Sequence, residues 1–176
     1  MLILVVGPSG AGKDTLLEGA RKALPHARFV RRVITRPAEA GGEEHEAVTE
    51  AEFLQRSFAL QWCAHGLRYG IPADIADDLV LCRTVIANVS RGAIAEAASR
   101  FPAFVVEVTA PSEVLAARLS ARAREAAADV AARLSRSVPM PDGISVARVM
   151  NDGSVEDGIA RFVTAVTQAT AAAPRS

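Results

Sequence analysis

Leu2-Ile-Leu-Val-Val-Gly7-Pro8-Ser9-Gly10-Ala11-Gly12-Lys13-Asp14-Thr15 decides how the rest of the chain is read. The apolar run from Leu2 to Val6 has the length and composition of a buried strand. It breaks at Gly7 into a glycine-rich turn that ends on Lys13. Behind it, Leu16, Leu17, Ala20, Ala23 and Leu24 recur on one face of a 3.6-residue period, and Pro25 closes the helix they predict. Strand, glycine turn, lysine, helix is the order in which backbone N–H groups, a helix N-terminus and an ammonium converge on phosphate oxygens. Gly7 to Thr15 are therefore the candidate ATP-binding residues, with Lys13 also catalytic. Asp14 departs from the general pattern, which has Ser or Thr there.

The remaining sequence predicts a strand at Phe29–Ile34, a loop at Thr35–Gly42 and a short helix opened by the capping box Thr49–Glu52. A hairpin breaking near His65-Gly66 comes next, and Pro72 is read as opening another helix. Strands follow at Thr84–Val89, Ala103–Thr109 and Ile144–Val149. They alternate with helices marked by Ile94 and Ala98, by Pro111 onward, and by the stripe Val155, Ile159, Phe162, Val163 and Val166, with Ser154 as cap. Strands alternating with helices indicate an α/β domain with a parallel sheet flanked by helices. Residues 30–83 lack that rhythm and read as an insertion for the second substrate, inside a core of about 1–29 and 84–176.

A chain of 176 residues that is 50% apolar can bury one full core. Its apolar stretches are too short to span a bilayer. With Met1 leading straight into a core strand, there is no room for a signal peptide. Cys63 and Cys82 give no disulfide framework and read as small buried hydrophobes, which points to a reduced, cytoplasmic protein. A net charge of zero argues against a nucleic-acid partner. Lys13 and Lys22 are the only lysines. The arginines gather at Arg28, Arg31, Arg32 and Arg36, and again at Arg118, Arg122, Arg124, Arg133 and Arg136. Guanidinium forks on a neutral chain suit a small, multiply phosphorylated substrate.

Those arginine segments carry a resemblance. The loop, Thr35-Arg36-Pro37, Trp62, Tyr69-Gly70, the series Arg118…Arg122…Glu125…Arg133 and Asn151-Asp152 resemble the guanylate kinases in order and spacing. The likeness fails where guanine is read. Gln61 replaces a glutamate, Ile71 a hydroxyl, Glu39 an arginine and His45 a tyrosine. A polar base edge left unpaired in a closed site costs about 1–3 kcal/mol per group. The same substitutions, with Asp14, Asn88-Val-Ser-Arg91 and Asn151-Asp-Gly153, are similar to the ribose 1,5-bisphosphate phosphokinases of phosphonate degradation.

That resemblance implies a P-loop NTPase fold, guanylate-kinase-like, with a substrate-binding insertion and an Arg-rich lid at about 122–140. It implies ATP-dependent phosphorylation of ribose 1,5-bisphosphate to 5-phosphoribosyl 1-diphosphate. Arg122, Arg124 and Arg133 are then expected to close over the phosphates as catalytic residues, and Asn151 to approach the adenine. Arg32, Arg36, His45 and Tyr69 are the candidates for the sugar phosphate, and Asp14 or Thr15 for Mg²⁺. Two alternatives stand beside this reading: a GMP kinase and a catalytically inactive guanylate-kinase-like interaction domain.

Overall fold

The strand β1 (Leu2–Val6) is buried along its whole length and lies at the centre of a five-stranded parallel sheet. The computed structural model describes residues 1–37, 44–121 and 140–172. Beside β1 run β7 (Val85–Asn88) and β8 (Ala103–Thr109). The edges are β2 (Arg28–Phe29) and β9 (Val146–Met150), giving the order β2-β7-β1-β8-β9. Because β1 is covered on both faces, a run of five aliphatics suits it and alternation does not appear.

Alternate residues of β1 serve different layers. Ile3 and Val5 face helices α1 (Lys13–Ala23), α5 (Ser112–Ala121) and α6 (Val155–Ala172). There they pack with Leu16, Ala20, Leu115, Phe162 and Val166. Leu2, Leu4 and Val6 face the opposite layer, with α3 (Ile75–Val80) and α4 (Ile94–Arg100). They meet Ile75 and Ile94, and also Leu60 and Ile71 from a second sheet. That sheet has the order β4-β3-β6-β5, built from β3 (Arg32–Ile34), β4 (His45–Ala47), β5 (Phe58–Ala64) and β6 (Leu67–Pro72).

Several local expectations meet the structure directly. The short helix α2 (Glu50–Leu54) opens with a complete capping box. Thr49 Oγ1 accepts from the Glu52 amide, and the Glu52 carboxylate accepts from the Thr49 amide. The hairpin turns at His65 and Gly66, with φ of 54° and 71°, the sign that matches strand twist. Ser154 accepts from the Asp157 amide at the start of α6.

Three expectations are corrected. Phe29–Ile34 is not one strand. The Val30 amide still donates to Ile86, but from Arg32 the backbone pairs with β4 and β6, so the chain changes sheets there. Pro72 ends β6, and the helix waits until Ile75. Cys63 and Cys82 are exposed, since Cys63 points outward from β5 and Cys82 takes a left-handed turn (φ 56°) past α3.

Candidate active site

The C-terminal edge of the parallel sheet is where β1 releases the chain into the glycine loop. Gly7 has φ 152°, and a Cβ on it would lie 2.0 Å from the Val108 carbonyl oxygen of β8. Only a residue without a side chain lets the loop leave the sheet this close to its neighbour. Lys13, the first residue of α1, folds its ammonium back over the loop. Nζ donates to the Gly7 carbonyl at 2.8 Å and to the Pro8 carbonyl at 3.0 Å. Asp14 and Thr15 follow in the first helical turn, both exposed, where the helix dipole favours a carboxylate.

The loop is held from beneath by Asn151, which follows β9. Its amide donates to the Ala11 carbonyl at 2.7 Å, and the side chain is only 6% exposed. Its two polar ends pack where a Cβ on Gly12 or on Gly158 would lie. The resemblance places Asn151 beside the adenine. In the structure its Nδ2 is committed to the loop backbone. From α5, Arg118 brings Nη1 to 3.5 Å from the Gly10 carbonyl, so one cation of the second arginine cluster stands at the loop.

The second sheet supplies Arg32, His45 and Tyr69, and the turn after β3 supplies Arg36. Arg32 is packed over the Tyr69 ring at 5.6 Å, and Tyr69 stacks on Trp62 with ring centres 5.4 Å apart. Burial pulls the Arg32 guanidinium down to about 10. Arg36 pushes the same way, while the carboxylate of Asp14 and the Tyr69 phenol oppose it. Asp14, in the first turn of α1, thus lies near enough to Arg32 for the two charges to attract. His45 is 7% exposed and brackets Arg36: its Nδ1 lies 3.4 Å from Arg36 Nη2, and its Nε2 lies 3.2 Å from the Arg36 carbonyl. Arg36 Nε is buried without a hydrogen-bond partner among the described residues, as expected of a donor shaped for an anion. Arg31 turns the other way, to the His45 carbonyl at 2.9 Å and towards Glu44.

A third group escaped the sequence reading. Glu107 on β8 is opposite Val6 across the β1–β8 register, one residue before the loop. It sits on the sheet face away from α1, since its neighbours Val106 and Val108 belong to the α1 side. Arg91 donates to one of its carboxylate oxygens and Arg148 to the other, the latter at 3.0 Å. Their side chains are 26% and 70% exposed, against 9% for Glu107. Glu107→Ala should cost about 2–3 kcal/mol in chemical denaturation, below a fully buried pair because Arg148 is largely in water. Glu107→Leu, which also removes both ion pairs, should lose nearly as much. A neutral result for both would remove the triad from the stability of this edge. The expected lid residues Arg122, Arg124 and Arg133 lie outside the described residues, as does Glu39.

Among the described residues, no three His, Cys, Asp or Glu gather into a metal-holding group, and no helix is long and apolar enough to cross a membrane. A cation held beside nucleotide phosphates needs only one or two protein oxygens, because Mg²⁺ keeps waters and phosphate oxygens around it. The Asp14 carboxylate and Thr15 hydroxyl fit that demand.

A glycine loop between a central parallel strand and its helix, with a lysine folded over it and Arg118 beside it, defines a P-loop kinase. The family model described as an AAA domain matches residues 2–138. A solved guanylate kinase from Anaplasma phagocytophilum has the same fold, with a TM-score of 0.69 at 17% identity over 96% of this chain and 85% of that one. The chain belongs to the ribose 1,5-bisphosphate phosphokinase family. It is 53% identical to ribose 1,5-bisphosphate phosphokinase PhnN of Acidiphilium cryptum over 165 residues, 92% of this chain and 90% of that protein. It is 51% identical to a bifunctional ribose 1,5-bisphosphokinase-thymidine phosphorylase of Azorhizobium caulinodans over 180 residues. That match takes in 97% of this chain and 26% of the relative, so this chain spans about a quarter of that longer protein.

Proposed function

We propose that this chain phosphorylates α-D-ribose 1,5-bisphosphate with ATP, yielding 5-phospho-α-D-ribose 1-diphosphate and ADP. The observation that carries the reading is the placement of two cationic half-sites. Lys13 and Arg118 stand at the loop, Arg32 on β3 lies within the field of Asp14, and Arg36 lies close enough to Arg32 to repel it. The 53% identity to a protein of that name supports the choice of sugar.

The chemistry suits these residues. An oxygen of the substrate's 1-phosphate attacks the γ-phosphorus of ATP. A new P–O–P link forms, the bond from the γ-phosphorus to the β–γ bridging oxygen breaks, and ADP leaves with that electron pair. The nucleophile is already anionic near neutral pH, so no general base is required. The obstacle is one anion approaching another, and catalysis rests on positioning and neutralisation. Lys13 and the loop amides, from Gly7 to Thr15, hold the donor phosphates. Arg32 and Arg36 hold the acceptor, with His45 keeping Arg36 in place and Tyr69 shelving Arg32. Asp14 and Thr15 would hold the Mg²⁺ of Mg·ATP, which would supply neutralising charge when bound. Asn151 acts through the loop it supports. Arg122, Arg124 and Arg133, in a lid of about 122–140, complete the closure, and a cytoplasmic setting supplies the substrates. Residues 30–83 form the acceptor insertion of a single domain.

The GMP-kinase alternative meets an obstacle at Ile71, which is fully buried in the core and presents nothing to a base. The deciding experiment offers Mg·ATP with either ribose 1,5-bisphosphate or GMP. ADP release and a ³¹P signal for the diphosphate product are followed. Turnover that depends on the sugar bisphosphate is expected. Turnover on GMP alone would sink the proposal, and none on either would favour the interaction domain.

A further inference from the structure

Asn88 ends β7, the strand beside β1. It lies opposite Val5 in the parallel register and is 8% exposed. Its Nδ2 donates to Asp14 Oδ1 at 3.2 Å, across 74 residues of sequence. In many P-loop enzymes the nucleotide's Mg²⁺ is held by a hydroxyl directly after the loop lysine and by a carboxylate on a neighbouring strand. Here the residue after the lysine is the carboxylate, Asp14, and the strand end offers an amide. At this pair of positions the negative charge lies on the helix and the strand end keeps a neutral donor aimed at it; the carboxylate of Glu107 on β8 is held by Arg91 and Arg148. Carboxylates at both positions would stand about 3 Å apart and resist sharing full charge. A hydroxyl with an amide would leave no charge at all.

We infer that Asn88 is a positioning residue: its amide orients the Asp14 carboxylate toward the metal of Mg·ATP, so that the pair performs with exchanged chemistry what a loop hydroxyl and strand carboxylate do together. The inference rests on the reading of Asp14 as the metal-facing oxygen of a kinase. It also explains why an amide is buried at this strand end among Val85, Ile86, Ala87 and Val89. The carboxylate of Asp14 is exposed on a helix turn, and one directed hydrogen bond from a buried, immobile donor restricts it far more than another surface contact would.

The test measures Mn²⁺ affinity of the protein–ADP complex by electron paramagnetic resonance, together with metal-free ADP affinity and the Mg²⁺ dependence of turnover. Asn88→Leu keeps the side-chain bulk without the donor, and Asn88→Ala removes both. Each should weaken Mn²⁺ binding about tenfold, the scale of a lost hydrogen bond to a charged group, with metal-free ADP affinity unchanged. Asp14→Ser should lose more, and Asp14→Ser with Asn88→Asp should recover at least fivefold over Asp14→Ser. Wild-type Mn²⁺ affinity in Asn88→Leu, equal losses with and without metal, or no recovery in the double variant would each overturn the inference. Absence of any sugar-dependent turnover in the wild-type protein would instead overturn the kinase reading.

Discussion

Lys13→Met should lower kcat for phosphoryl transfer by about a thousandfold or more while the fold survives, its thermal midpoint down by about 4–8 °C for the two hydrogen bonds lost. Loss of a single preorganised donor to developing charge costs about 10²–10³ in rate in other enzymes. Lys13 brings a full positive charge as well as donors, to a reaction in which both partners are anions. The ammonium is bonded to the carbonyls of Gly7 and Pro8, and each such bond is worth about 1 kcal/mol net. Methionine keeps the length and apolar stem, so α1 starts in the same place. Steady-state turnover and a melting curve on one preparation check both halves. A variant with more than a tenth of the wild-type kcat would refute the role of the loop lysine.

Gly7→Ala should act in the opposite sense, through stability. The added methyl would lie 2.0 Å from the Val108 carbonyl oxygen and 3.1 Å from its carbon, at a backbone φ of 152°. Val108 is 0% exposed and is paired with Val149 in the β8–β9 ladder. Neither side can yield without breaking strand pairing or lifting the loop from the sheet. A sparsely populated backbone region costs about 1–3 kcal/mol, and forced overpacking a similar amount. The expected loss is therefore about 3 kcal/mol or more, or roughly 6–12 °C in midpoint for a chain of this size. Gly66→Ala is the control. Its φ of 71° is also left-handed, but nothing lies within 4 Å of the added atom. Its cost should be near 1 kcal/mol. Equal midpoints for the two variants would show that the contact with β8 does not constrain the loop.

The parts of this fold that could be read along the chain are those whose cause is local. The run Leu2–Val6, the glycine turn, the Thr49–Glu52 box and the Val155–Val166 stripe each announce themselves within a few residues. What stayed hidden depends on register between distant strands. Asn88 is one polar residue after an apolar run, and only its place opposite Val5 brings it to Asp14. Glu107 is one charge in a strand, and only the alternation of β8 turns it to the face where Arg91 and Arg148 converge. Asn151 was singled out for a ligand, yet its burial under the loop follows from how closely β9 and α6 approach Gly12 and Gly158. Arginine clustering suggested an anion site, but not the distinct neighbours of Arg31, Arg32 and Arg36.

Leu60, Ile71 and Ile75 pack in the same cluster as Leu2, Leu4 and Val6. The second sheet is thereby keyed into the layer beneath β1, the strand that leads into the glycine loop. Grafting residues 30–83 from a nucleotide kinase would import a mismatched floor along with a new pocket. If that segment takes the acceptor, as proposed, retargeting is better attempted by single substitutions that leave Leu60, Ile71 and Ile75 in place against β1.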